Sequence, residues 1–363
     1  MEFVHLHVHS QYSFLDGAST LDRLLDKAKR HGMSALAITD HNRLTGAIKF
    51  YDKAKSLGIK PILGAEVDLE GGYHLTLLCK NKKGYSSLCH MLTEAHLSSP
   101  HNEQKVTKEM LCRLSSGLIA LSGCSRGEIP TLIERKEIER AGQAVRFYRE
   151  IFGDDFFIEL IRYPSNDGMY LSHRLNSFAK EHGIPVVATN NVHYADMRDY
   201  KIKELLNAID QNTPVSMLKG YRTVEQYLKS AKEMLKLFED IPEAIRMTAE
   251  ISSRCNLDLE LGIPRFPHFH IPEGETSYSY LRKIAYAGVT RKYNTPSPEI
   301  IDRLEKELDT INQLGFCSYF LVAWDIVQWA REKGISCQAR GSAVDSLVVY
   351  ALDISNVDPI HYN

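Results

Sequence analysis

Five histidines stand at the edges of short apolar runs. His7 and His9 are two residues apart in the segment beginning Phe3–Val8, a spacing that turns both side chains the same way on an extended chain. Asp40-His41 follows the run Ala35–Thr39, and Glu66 closes Pro61–Val67 within Gly64-Ala65-Glu66. His74 opens His74–Cys79, Cys124 follows Leu118–Ser122, and Asn191 and His193 follow Pro185–Thr189. Five imidazoles, a carboxylate and a thiol brought to one place make a metal site. Neutral imidazole and thiolate suit zinc or manganese better than calcium, and a carboxylate such as Glu66 can bridge two ions. Two or more such ions polarise a phosphoryl oxygen and activate a water, so the expected chemistry is phosphoester hydrolysis without a protein nucleophile.

Those residues converge only if the elements between them form a closed β/α layer. Ser19-Thr20-Leu21-Asp22 reads as a helix start, with Leu21, Leu24, Leu25 and Ala28 on its inner face and Gly32 as its stop. A second helix carries Leu44, Ala47, Ile48, Tyr51 and Ala54, a third lies near Tyr85–His96, and a fourth around Tyr170–His182. With Phe156–Leu160 as a further strand, about six or seven parallel β/α units are expected, closed as a barrel whose site lies past the C-terminal strand ends. From Asn212 to Ile271 the texture turns helical, with helices at Val224–Leu237 and Ala244–Cys255, and Phe266–Glu275 reads as a linker. Helices around Tyr278–Lys292, Pro298–Leu314 and Tyr319–Lys333 form a separate unit. The expected domains are 1–211, 212–275 and 276–363.

Composition sets the frame. The chain has 363 residues, 44% hydrophobic and 25% charged, with a net charge of −2. There is no long apolar stretch for a membrane span and no signal-peptide pattern at Met1-Glu2-Phe3. Seven cysteines without a C-x-x-C pair indicate neither a disulfide framework nor a zinc ribbon, which fits a reduced cytoplasm. A DNA path would rest on local patches such as Lys80–Lys83. His5, His31, His90, His96, His101, His173 and His182 lie off the pattern and read as surface or core residues. Cys79, Cys89, Cys112, Cys255, Cys317 and Cys337 read as small apolar residues.

His7-Val8-His9-Ser10, Thr39-Asp40-His41, Gly64-Ala65-Glu66, His74-Leu75, Ser122-Gly123-Cys124 and Thr189-Asn190-Asn191-Val192-His193-Tyr194 resemble the successive motifs of the PHP (polymerase and histidinol phosphatase) family. The resemblance implies a distorted seven-stranded β/α barrel holding two or three zinc or manganese ions. Its ligands would be His7, His9, Asp16, His41, Glu66, His74, Cys124, Asn191 and His193, with Glu66, His9 and His193 at the reacting centre. At Asn191 the family has an aspartate, so one ion would lose a charged ligand. Asp40 would orient an imidazole from behind.

The resemblance continues past the barrel. Ser122-Gly123-Cys124-Ser125-Arg126-Gly127-Glu128, Phe152–Leu160, Tyr319–Asp325 and Arg340-Gly341-Ser342-Ala343 resemble bacterial DnaE-type DNA polymerases, with features closer to the error-prone class than to the replicative subunit. This implies a DNA primer–template as substrate, a 3′–5′ exonuclease or its structural remnant in the barrel, and partners such as the sliding clamp. Arg340-Gly341-Ser342, ahead of a helix at Ala343–Leu352, would hold the triphosphate of a nucleotide. Asp345 and Asp353 stand where the family has small or neutral residues and would oppose an anion there. The family's polymerase carboxylates, which use magnesium, lie beyond Asn363, so this chain by itself is not expected to polymerise DNA. Two other readings stay open: a stand-alone phosphatase of the histidinol phosphate type, and a structural metal domain without catalysis.

Overall fold

The computed structural model describes residues 2–100, 103–163, 166–218 and 224–362, the side chains of 166–168 excepted. His101 lies outside the described residues. The chain forms two compact units, Met1–Leu259 and Glu260–Asn363. The helices between residues 212 and 259 therefore fold with the barrel, and the first unit runs on well past the expected boundary at 211.

The first unit begins with Leu21–Arg30 (α1), Ala35–Ile38 (β1), Ala47–Ser56 (α2), Lys60–Asp68 (β2), His74–Cys79 (β3), Lys82–Ser98 (α3) and Lys108–Leu114 (α4). It continues through Leu118–Leu121 (β4), Glu128–Glu134 (α5), Ile138–Phe152 (α6), Phe156–Ile161 (β5), Asn166–His182 (α7) and Val186–Thr189 (β6). Tyr200–Asp210 (α8), Ala231–Leu237 (α9) and Pro242–Arg254 (α10) complete it. The expected helix at Val224–Leu237 starts only at Ala231, because Ser230 caps it by accepting from the Glu233 N–H while Glu233 reaches back.

Among the described residues the strands form one sheet in the order β1 to β6. The β1–β2, β4–β5 and β5–β6 pairs are parallel, but β3 runs antiparallel to both β2 and β4. The expectation of uniformly parallel units is corrected at this strand. The short Leu69–Tyr73 turn between β2 and β3 leaves no room for a crossover helix, so the chain simply reverses. The consequence favours the site. His74, at the start of a reversed strand, lies opposite Asp68 at the end of β2.

Phe3–Val8, expected as the first strand, is an extended segment bent at His7. It still closes the ring. The Ala37 and Thr39 N–H groups donate to the His5 and Val8 carbonyls at 2.9 and 2.8 Å, and the Val192 N–H donates to the His7 carbonyl at 3.0 Å. The bend also resets the alternation. Val4 and Leu6 face the barrel interior before it, and His7 and His9 turn toward the site after it.

Period-two alternation divides each strand. Ala35, Ala37, Ile62, Leu78, Ile119, Leu121, Phe157 and Val187 fill the inside of the barrel, with Ile251 of α10 and Cys255 just after it packed onto them. Leu36, Ile38, Leu63, Leu75, Leu77, Ile158 and Leu160 face outward onto α1, α2, α3 and their neighbours. The inner-face series continues upward as His41, Glu66 and Asp68, His74, Glu159, and Asn191 and His193, so one face of the sheet carries both the plug and the chemistry.

The second unit comprises Ser277–Tyr293 (α11), Pro298–Gln313 (α12), Cys317–Glu332 (α13) and the short Leu347–Ala351 (α14) around Leu281, Leu304, Leu308, Leu321 and Leu347. Gly288 lets α11 touch α14, since a Cβ there would lie 2.0 Å from the Ala351 carbonyl oxygen. The expected linker is irregular but not loose. Phe266 packs on Phe316 and Tyr319, and Phe269 on Tyr280 and Trp324.

Candidate metal centre

Glu66 is buried at the end of β2, and four imidazoles surround its carboxylate. Oε1 lies 3.0 Å from His74 Nδ1 and 3.4 Å from His7 Nε2, and Oε2 lies 3.0 Å from His41 Nδ1 and 3.6 Å from His9 Nε2. Cys124 Sγ approaches His74 Nδ1 at 3.6 Å. On the other side Asp16 meets His193 Nε2 at 3.1 Å and His9 Nδ1 at 3.5 Å, and the His9 and His193 rings stack at 4.5 Å. The expected residues thus come together as overlapping clusters: His7, His9 and Glu66; His9, Asp16 and His193; Glu66, His74 and Cys124. Asn191 lies two residues before His193 in a left-handed conformation (φ 43°), one that asparagine tolerates.

Local backbone makes this approach possible. The Ser122–Gly127 turn wraps the start of β3, and a Cβ at Gly123 (φ 84°) would lie 2.4 Å from the His74 carbonyl oxygen. Only glycine lets Cys124 come this near His74.

The unmet valences fit a cation. Glu66 Oε1, His74 Nε2 and Asn191 Oδ1 are buried without a hydrogen bond of acceptable geometry, although ring nitrogens stand within 3.4 Å of the Glu66 oxygen. His7 Nε2 and His9 Nε2 face each other at 3.0 Å. Without a cation a proton must lie between them. The titration behaviour agrees: burial alone would strip His7, but Glu159 and Glu66 outweigh it and lift the pKa to about 10. Burial, then the neighbouring His193, holds His9 well below its ordinary value. Burial would raise Glu66, yet His74 and His7 keep it well below the usual carboxylate range. Burial and Glu66 push the Cys124 thiol well above its ordinary value, so a cation is needed to draw out its thiolate.

Groups outside the expected ligands complete the centre. Glu159 on β5 takes His7 Nδ1 at 2.7 Å and the Thr189 hydroxyl at 2.5 Å. Asp68 Oδ1 lies 3.2 Å from both His41 Nε2 and His74 Nε2, forming a further cluster with them. Asp40 acts through a relay and touches no imidazole: the Ser13 hydroxyl donates to it at 3.0 Å and lies 2.9 Å from His9 Nδ1. Burial lifts Asp40 to about 6 despite these bonds. Lys203 of α8 pairs with Asp16. A signal for two of these was present in the sequence. Asp68 stands two residues after Glu66, as His9 does after His7, and Glu159 is a lone charge inside an apolar strand. Nothing local marks Lys203 or Ser13. The off-pattern His5 and His96 are packing residues, bonded to the Lys229 and Asn42 carbonyls at 2.9 Å.

The expected nucleotide cradle takes a different form. Arg340, Gly341 and Ser342 are exposed, and the expected Ala343–Leu352 helix is divided into a 3-10 turn, Gly341–Asp345, and the short α14. Ser346 is extended between them and caps Val349, while Glu307 accepts from the Leu347 and Val348 N–H groups, each at 3.1 Å. A carboxylate of the chain itself thus takes the N–H groups of α14. Ser342 instead lines an open groove of about 640 Å³ with Arg303, Lys306 and Phe320. Asp353, left-handed at φ 59°, is engaged by Arg291, Lys292 and Arg331.

Residues 5–163 match the PHP domain family, and residues 279–363 match the bacterial DNA polymerase III alpha NTPase domain. An error-prone DNA polymerase of Symbiobacterium thermophilum is 42% identical over 99% of this chain and 35% of its own length. The DNA polymerase III alpha subunits of Borreliella burgdorferi and Escherichia coli K12 are each 38% identical over 99% of this chain and 33% of theirs. The chain therefore spans about a third of these relatives. An amidohydrolase from Chromobacterium violaceum aligns over 52% of this chain and 87% of its own at 18% identity, with a TM-score of 0.40. Residues 5–163 thus correspond to a PHP domain and residues 279–363 to part of the bacterial DNA polymerase III alpha NTPase domain, and over its whole length the chain is similar to about a third of these bacterial DNA polymerases.

Proposed function

We propose that the PHP centre is a metal-dependent phosphoesterase acting on the 3′ end of DNA, a 3′–5′ exonuclease in a polymerase of the error-prone class. The convergence of five imidazoles and Cys124 on Glu66 and Asp16 carries this reading. Two or three zinc or manganese ions suit the imidazole–thiolate–carboxylate set. Ions held there would polarise a phosphoryl oxygen and activate water. The chain's own residues do the rest. Glu66 presents an oxygen to each side of the centre, Asp40 and Ser13 fix the His9 ring, and Lys203 steadies Asp16. His9, His193 and Glu66 surround the phosphoryl group.

The error-prone assignment is supported by 42% identity to one such enzyme against 38% to the alpha subunits. Polymerisation, its magnesium requirement, and partners such as primer–template and sliding clamp belong to the longer relatives and come to this chain as proposals. So does a cytoplasmic location; no helix among the described residues is long and apolar enough to cross a membrane. Residues 279–363 speak against a free-standing small-molecule phosphatase. The amide of Asn191 favours a second reading, a metal domain that stabilises the barrel without catalysis.

Hydrolysis of a 3′-mispaired primer–template by the purified chain with manganese or zinc, beside His9→Ala, tests the first reading. Cleavage lost in the variant supports it. No cleavage by either protein, with metal bound, leaves the structural reading.

A further inference from the structure

The metal ligands are mostly buried imidazoles, and the rim above them carries both carboxylates and cations. The centre opens where Asp16, His41 and Asp68 are least covered, with 29, 25 and 19% of their side chains exposed. Three cations stand at that opening. Lys203 pairs with Asp16, Lys105 lies 3.8 Å from Asp68, and Arg43 follows His41 by two residues, its backbone N–H 3.4 Å from the Asp40 carbonyl oxygen. A large aromatic side chain sits on the same loop: Phe14 is 63% exposed and lies in the chain between Ser13, which holds His9, and Asp16. The Arg43 guanidinium lies over its ring, 4.4 Å from the centroid.

The neighbouring aromatics are treated differently. Tyr12 is half-buried and packs against the core, and it occupies the space that a Cβ at Gly46 would need. Phe14 is not part of that packing. The apolar core beneath is complete without it, so burial does not account for a phenyl ring at this place. Scattered surface hydrophobics need no explanation. A ring stacked under a guanidinium, on the loop that delivers two groups of the metal centre, is not scattered.

We propose that Phe14 and Arg43 form a stacking ledge for the terminal base of a single-stranded DNA 3′ end. The rim cations meet the flanking phosphates, and the scissile phosphate enters over Glu66. This deepens the exonuclease reading and rests on it. A base plane on an aromatic or guanidinium face discriminates weakly among bases, because every base has such a face. The ledge would therefore favour any base over none, and unpaired ends over paired ones, whose terminal base is already stacked.

The test is binding, read by fluorescence anisotropy with the full metal-loaded chain and short single-stranded oligonucleotides blocked by a 3′-terminal phosphorothioate. One ends in a base and the other in an abasic sugar. We expect the wild type to prefer the base-ended strand by about 10-fold. Phe14→Ala should erase that preference and Phe14→Trp keep it. Phe14 is exposed, so neither change threatens folding, and unchanged melting temperature and metal content check this. Equal affinity of the wild type for both strands overturns the ledge, as does a preference that survives Phe14→Ala or the absence of any strand binding. The exonuclease reading fails separately. Base-dependent binding without hydrolysis of an unblocked strand would remove that activity and keep the ledge, and hydrolysis without base preference would do the reverse.

Discussion

Glu159 shows how much of a metal centre lies behind its ligands. With the Glu159 carboxylate taking Nδ1–H, His7 is left to use Nε2 toward Glu66. We expect Glu159→Gln, which keeps an acceptor oxygen but loses the charge, to weaken metal binding by about 10–100-fold. Competition with a chromophoric chelator measures it. Asn191→Asp should act in the opposite direction, because its buried amide oxygen is unpaired and brings no charge. At least one equivalent of metal should bind more tightly, by about tenfold, in the same assay. The histidines, Glu66 and Cys124 were legible in the sequence because their types are rare together and their spacing follows the strands. Asp68 and Glu159 were not named. A carboxylate is common, so the offset of Asp68 from Glu66 and the lone charge of Glu159 in an apolar strand become decisive only once the fold sets both beside the imidazoles.

Arg162 plays the corresponding part among the elements. Fully buried just past β5, it bonds Ser172 of α7 and the Leu237 carbonyl, each at 3.0 Å, and grips Asp240 with both terminal nitrogens. Arg162→Met leaves these acceptors unpaired and should cost about 3 kcal/mol in urea unfolding. The Arg162 hydrogen bonds hold the Asp240 carboxyl below its usual value. Its share of stability is therefore present above the ordinary carboxylate pKa of about 4 and lost as pH falls through the lowered value. The variant should lack that acid-side loss, and a wild type equally insensitive to acid in this range would contradict the pairing. Apart from Phe3–Val8, strand positions were legible to within a residue or two, since short apolar runs bounded by polar and turn residues mark buried strands. Direction was not. His74–Cys79 reads the same whether it runs with or against its neighbours, and only the short turn before it forces the reversal. The bend at His7 and the break at Asp345-Ser346 escaped notice for a related reason: each is fixed by distant partners, Val192 in one case and Glu307 in the other.

At the scale of the molecule, each unit has its own apolar core. Leu304 is fully buried in the second, and Leu304→Ala should destabilise that unit by about 2–5 kcal/mol. The metal complement of the first should remain unchanged, as elemental analysis of the folded variant would show. Sequence texture marked two kinds of structure but put the first boundary near residue 211. Amphipathic helices look alike whether they pack on a barrel or stand apart, and here Ile245 and Ile251 of α10 belong to the barrel's clusters.

Whether the PHP centre holds metal where the side chains converge is decided most directly by anomalous diffraction from crystals grown with manganese or zinc, collected on both sides of the metal absorption edge. We expect peaks beside Glu66, one toward His7 and His9 and another toward His74 and Cys124, and neither of these two in crystals of Glu66→Gln. Loaded crystals with no peak within coordinating distance of Glu66 would contradict the metal centre.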